Sequence, residues 1–265
     1  MSYRPLSLSG DAGKGFLSEQ NHKFSESWSF LPIVSTEFLR ALPWFVFGFR
    51  EKEGRLELGI VSGLRSGENL YFNSKTDQFE APYVPAIIRQ YPFKALRKEN
   101  QWFLTVHTLE SGFSELSDKP VIDVGGLTPY GRKVFQFTQM FQTQYEQDQR
   151  ALAEISEADL LMPFSSLLSY WPESIRENIG LERIYTLNPK KYKTLSGPTL
   201  AQLQETNALP IIEAQRLSLG NLSILKSVFE KRKLEVQSSN NQGVERKNQL
   251  DLEAFFDAST DTLKF

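Results

Sequence analysis

Two prolines, Pro85 and Pro92, bracket Ala86-Ile-Ile-Arg-Gln-Tyr91 and constrain this chain more tightly than any other feature. Proline fixes its own φ and lacks an N–H, so it suits the first turn of a helix, where that donor has no partner. The residue before a proline avoids the helical region. The spacing therefore predicts a short helix entered at Pro85 and stopped by Pro92. Upstream, Asn69-Leu-Tyr-Phe-Asn73 alternates as a short strand, and Ser74 to Gln78 is a polar turn. Ile87, Ile88 and Tyr91 share a helix face that suits a core. Arg89 falls on another face, beside the strand that carries Asn69. It either offers its fork of N–H donors to a carboxylate or phosphate, or covers apolar surface with its stem while its head pins a loop carbonyl.

The chain has 265 residues, 40% hydrophobic, with 20 phenylalanines, which supports one large domain with appendages. A net charge of -2 gives no global field toward nucleic acid or anionic membrane. Without cysteine there is no disulfide, thiol catalysis or thiolate metal site. The N-terminal residues lack the apolar region of a cleavable signal peptide, and no run approaches the roughly 20 apolar residues that span a bilayer. The expected location is the cytoplasm, or the cell surface after export without a cleavable signal.

Residues 1–27 read as a flexible arm. Within it, Gly10 to Gly15 lacks the spacing and preceding strand of a phosphate loop. Pro32 to Ser35 reads as extended, and Ser35 or Thr36 caps a short helix reaching Leu42. Trp44 to Phe49 and Arg55 to Val61 form a hairpin. Trp102 to His107 is a further strand. His107 and His22, the latter placed in the arm, do not make a transition-metal site, and no nucleophile elbow exists for His107 to serve. The acids of the 110–130 loop lack calcium-loop spacing.

The longest helix is expected from Pro129 to Leu161. Its apolar stripe is Val134, Phe137, Phe141, Tyr145, Leu152 and Ile155, and a glutamine-rich face is open to solvent or a partner. After a strand at Leu181 to Leu187, two helices follow, Thr199 to Asn207 and Ile211 to Lys231, separated near Pro210, with Leu217 on the buried side of the second. Residues 236–265 are a polar tail ending in an acidic, apolar motif, Asp251 to Phe265, that suits docking as a linear motif or acting as an export signal. The fold class is α+β: a central, mostly antiparallel sheet from the N-terminal half, and helices mainly from the C-terminal half of a domain spanning 28–235.

Three strings in this order resemble the SapC family of bacterial proteins. They carry Pro32, Glu37 and Phe38; then Gly63, Leu64, Glu68, Asn69 and Leu70; then Tyr83, Pro85, Ala86, Arg89, Tyr91, Pro92 and Phe93. SGF at 111–113, ADLLMPF at 158–164 and LSLGNL at 217–222 extend the resemblance over about residues 28–230. It implies association with surface-layer proteins and their type I export; other members sit beside genes for TonB-dependent receptors and tryptophan-halogenase-like proteins. It brings no catalytic residues.

The preferred expectation is a non-enzymatic accessory or structural protein of a bacterial surface layer or its export. It would bind a protein partner, through Asp251 to Phe265 among other surfaces, with no cofactor, metal or nucleic acid. The alternative is a cytoplasmic protein, binding module or enzyme, for a small polar ligand from carbohydrate uptake. Its pocket would hold Glu68, Asn69, Arg89 and Tyr91, with Glu37 nearby. In that region Glu68 and Arg89 would otherwise form an internal salt bridge.

Overall fold

Antiparallel sheets in the N-terminal half and helices in the C-terminal half, the expected α+β arrangement, make up the computed structural model, which describes residues 3–16, 21–108, 113–115, 117, 119–176, 179–181 and 183–234. The two main sheets are built from β1 (Tyr3–Pro5), β2 (Phe30–Pro32), β3 (Phe47–Lys52), β4 (Arg55–Val61), β5 (Phe93–Lys98), β6 (Gln101–His107), β7 (Leu161–Pro163) and β8 (Ile184–Leu187). The five-stranded sheet has the order β7-β8-β3-β4-β2, and the three-stranded sheet β1-β6-β5. All pairings within both are antiparallel.

Glu53 and Gly54, at φ 52° and 73°, form the two-residue turn between β3 and β4. A turn with both central residues at positive φ matches the twist of the flanking strands, and it sets Lys52 opposite Arg55 and Gly48 opposite Gly59. One sheet face buries Phe47, Phe49, Leu58 and Ile60. On the other face the Phe30 ring lies directly over Gly59, where an added Cβ would stand 2.4 Å from a ring carbon. The Arg50 guanidinium sits 4.5 Å above that ring and donates to Glu57 at 2.7 Å. The outer strands β2 and β7, three residues each, end on Pro32 and Pro163, and β1 ends on Pro5.

The helices are α1 (Phe38–Ala41), α2 (Ala86–Arg89), α3 (Pro129–Glu157), α4 (Gly197–Glu205) and α5 (Ala208–Ser218), with lesser turns between them. Thr128 caps α3 by accepting from the Gly131 N–H at 3.0 Å, and Pro129 occupies its first position. At about 1.5 Å per residue α3 is roughly 43 Å long, and it lies against β4 and β5. Buried Asp148 accepts from the Ser35 N–H and the Ser35 hydroxyl, both at 2.7 Å, and from the Gln144 amide at 2.9 Å. The Tyr145 hydroxyl donates to Glu57 at 2.9 Å, and Gln149 to the Leu56 carbonyl at 3.2 Å. Part of the glutamine-rich face is therefore a set of ties to neighbouring elements rather than a free surface. The helix ends at Glu157, earlier than expected, because Leu161 enters β7.

Other expectations change as well. Residues 3–16, expected as a flexible arm, join the fold: Tyr3 pairs with His107, and Arg4 forks onto Asp11 with two hydrogen bonds of 2.7 Å. Asp11 is only 1% exposed. The Arg4 hydrogen bonds hold its carboxyl below the usual carboxylate range. His22, also assigned to the arm, accepts from the Phe79 N–H at 3.0 Å. Asn69 to Tyr71 is loop, and only Phe72–Asn73 is strand, paired with Gln78–Phe79. Pro210 falls within the first turn of α5 rather than between helices. Leu217 is 66% exposed because α5 turns Gln215 and Ser218 to the sheet instead. Gln215 donates to the Phe47 carbonyl and to Thr186, and Ser218 accepts from the Phe47 N–H.

The chain divides into two units, Met1–Leu222 and Ser223–Phe265. The second is helical as far as Leu234, and the 236–265 tail with Asp251 to Phe265 lies outside the described residues.

Removing Asp148 strands three donors at a buried site, which costs about 3 kcal/mol. Asp148→Ala is therefore expected to lower the unfolding free energy by that amount, read in urea as a lower midpoint at an unchanged slope, whereas Gln136→Ala on the exposed side of α3 leaves the midpoint where it is.

Candidate functional site

A single turn of 3-10 helix, Ser35–Glu37, is fixed at both ends. Asp148 of α3 holds its first N–H. At its other end the Glu37 carboxylate, 5% exposed, turns inward. One oxygen accepts from the Ala86 N–H at 2.7 Å and the Tyr83 hydroxyl at 2.6 Å; the other accepts from the Val34 N–H at 3.3 Å. Ala86 opens α2, and the first N–H groups of a helix have no internal partner. Pro85, at the cap position, offers no side-chain acceptor. Glu37 supplies that acceptor from a distant part of the chain.

Arg89 lies at the other end of the same short helix. Its Nε donates to the Val84 carbonyl at 2.9 Å and its Nη2 to the Tyr83 hydroxyl at 3.1 Å. The guanidinium rests 5.0 Å from the Phe137 ring centre and 5.5 Å from that of Tyr83. A chain of hydrogen bonds thus runs from exposed Arg89 through Tyr83 to buried Glu37. Burial pushes the Glu37 carboxyl above its ordinary value, against the pull of its three donors and of Arg89. Burial, followed by the hydrogen bond to Glu37, pushes the Tyr83 hydroxyl up to about 12, which keeps it a donor.

These residues border an open cleft of about 730 Å³ between the 34–40 segment, α2 and the middle of α3. Val34, Phe137 and Phe141 give it an apolar floor; Leu39 and Met140, 92% and 65% exposed, stand at its rim. Arg40 and Arg89 are its basic groups, and Gln139, Thr143 and Gln147 line the wall of α3.

Of the five residues singled out from the sequence, the structure brings Glu37 and Arg89 to this cleft and leaves the others elsewhere. Asn69 is buried, donating to the Ser25 carbonyl at 2.9 Å and accepting from the Tyr71 N–H at 3.1 Å. Glu68 belongs to the loop after β4, where its carbonyl occupies the space that a side chain on Gly63 would need. Tyr91 stacks on Phe24 with ring centres 3.7 Å apart. No ion pair joins Glu68 to Arg89 among the described residues, and Arg89 takes up the carbonyl-pinning geometry instead. Tyr83 joins the site as well, and its place two residues before Pro85 is the sequence signal for it. His107 packs edge-on against Tyr3 at 5.2 Å. Among the described residues no group of three or more histidines or acids is arranged for a metal ion, and no helix is long and apolar enough to cross a membrane.

Glu37→Ala strands three donors and is expected to cost about 3 kcal/mol. Because folding raises the Glu37 pKa, its protonated form contributes stability that is present below the unfolded value and lost as pH rises through the folded one. Glu37→Gln removes that dependence. The stability of wild type relative to this variant is therefore expected to shrink with rising pH across that window, in urea titrations; a constant difference would contradict the assignment.

Comparison with known proteins adds three findings. An undecaprenyl-diphosphatase of Myxococcus xanthus (strain DK1622) is 32% identical over 94 residues, which are 36% of this chain and 31% of that protein, so the chain spans about a third of the length of this curated relative. No solved structure matches. The SapC family model matches residues 13–225, which include the 3-10 turn, α2, α3 and the whole cleft, and the chain belongs to the SapC family.

Proposed function

We propose that the protein is a non-enzymatic accessory or structural component of a bacterial surface layer or of its type I export, and that it works by docking another molecule in the Arg40/Arg89 cleft. The observation that carries this reading is the commitment of Glu37. The cleft's one carboxylate is consumed by three internal hydrogen bonds. What faces solvent is a set of binding groups: guanidinium, amide, hydroxyl and apolar side chains. The chain belongs to the SapC family, and the surface-layer context is what resemblance to that family implies. The likeness to an undecaprenyl-diphosphatase covers too little of that protein to bring its substrate to this cleft.

A second reading, a cytoplasmic protein for a small polar ligand, is favoured by one observation: Arg89 is already held in place by Val84 and Tyr83 beside an aromatic wall. The pocket is then that of Glu37, Tyr83 and Arg89, with Glu68 and Asn69 serving the fold.

Location separates the two. Fractionation of native cells, with both termini untagged and an antibody to the folded domain, is expected to find the protein at the cell surface or in the medium. Protein confined to the cytoplasm would sink the surface-structural reading, leave an export helper as its remnant, and turn the search to the small-ligand reading.

A further inference from the structure

We infer that the cleft takes a short acidic, apolar peptide segment of a partner protein, with Arg40 and Arg89 receiving its carboxylates and the Gln139/Thr143/Gln147 row bonding its backbone. The inference rests on the reading of this cleft as a docking site and specifies the chemistry of what docks.

Charge decides the sign of the ligand. Three charged side chains line the cleft: Glu37, Arg40 and Arg89. Glu37 is buried and saturated, so it offers a ligand nothing. Neither arginine forms an ion pair among the described residues, and the Nη1 group of Arg89 has no hydrogen-bond partner among them. The accessible field is therefore positive in a chain whose net charge is -2. Arg89 is also oriented in advance by its two hydrogen bonds and its ring contacts, which reduces the side-chain entropy lost on binding.

The wall of α3 decides the shape. Gln139, Thr143 and Gln147 recur at four-residue steps, so they stand in one row along the helix. None makes a side-chain hydrogen bond among the described residues, in contrast to Gln144 and Gln149, which tie α3 to its neighbours. Amide and hydroxyl groups in a row match the alternating donors and acceptors of a peptide backbone. The row covers a rise of about 12 Å, the reach of roughly four extended residues. Leu39 and Met140 then cover the apolar side chains of such a segment, and methionine adapts its shape to what it meets. A hydrocarbon chain with a single acidic head would use the rim and one arginine but leave the row idle.

The test uses the full chain and two fluorescein-labelled peptides read by anisotropy: Glu-Leu-Asp-Phe-Glu-Leu and its neutral counterpart Gln-Leu-Asn-Phe-Gln-Leu. The acidic peptide is expected to bind saturably and the neutral one about tenfold more weakly. Arg40→Ala, a residue with no internal partner to lose, is expected to weaken the acidic peptide about fivefold, and Gln147→Ala about threefold, both with unchanged melting. Absence of saturable binding, equal affinity for both peptides, or indifference to Arg40→Ala would overturn the inference. So would complete displacement of the peptide by laurate, which would assign the cleft to a small amphipathic acid. Peptide binding and cell location fail separately. Binding by a cytoplasmic protein overturns the surface-structural reading alone, and a surface protein that ignores the peptide overturns the ligand class alone.

Discussion

Two carboxylates at opposite ends of one helical turn hold three walls of the molecule together. Asp148 reaches from the middle of the long helix to the start of the Ser35–Glu37 turn, 113 residues away in sequence. Glu37, at the end of that turn, reaches to the first residue of the proline-entered helix. Asp148 satisfies one backbone N–H and Glu37 two, and such groups cost far more when left unmade than they return when made. The cleft exists because the three elements are tied at their polar ends and not filled between them.

The same economy explains what the cleft can do. A buried acid beside a tyrosine and an arginine resembles a proton-handling set, and its raised pKa would encourage that view. The geometry argues otherwise, since every Glu37 contact is an internal donor that shapes the loop. The groups that the cleft leaves exposed are guanidinium, amide, hydroxyl and apolar side chains.

Much of this fold was legible in the sequence. The proline pair marks the short helix, the turn within Glu51 to Gly54 marks the hairpin, and period-3.6 apolar residues mark the long helix. The N-terminal residues were misjudged because their order comes from partners far along the chain: β1 pairs with β6, and nothing in Tyr3 to Pro5 announces it. The glutamines were half-read for a related reason. Gln139, Thr143 and Gln147 face the cleft while Gln144 and Gln149 reach other elements, and periodicity cannot tell a tie from a solvated amide. At the site, Glu37 and Arg89 came together, but Glu68, Asn69 and Tyr91 proved to be turn and packing residues. Glu68 and Asn69 stay in the loop after β4, and Tyr91 leaves the end of α2 to stack on Phe24.

The proline endings of the outer strands carry a consequence for recognition. A sheet edge is open to any extended chain that can complete its hydrogen bonds, and natural edges are blunted by short strands, charges and proline. Here β2, β7 and β1 are each three residues long and each closes on a proline, which has no N–H to give. At these three borders a guest finds little backbone to pair with, whereas β5, the other outer strand of the three-stranded sheet, runs six residues without a proline. The edges that end on proline thus leave recognition to side chains.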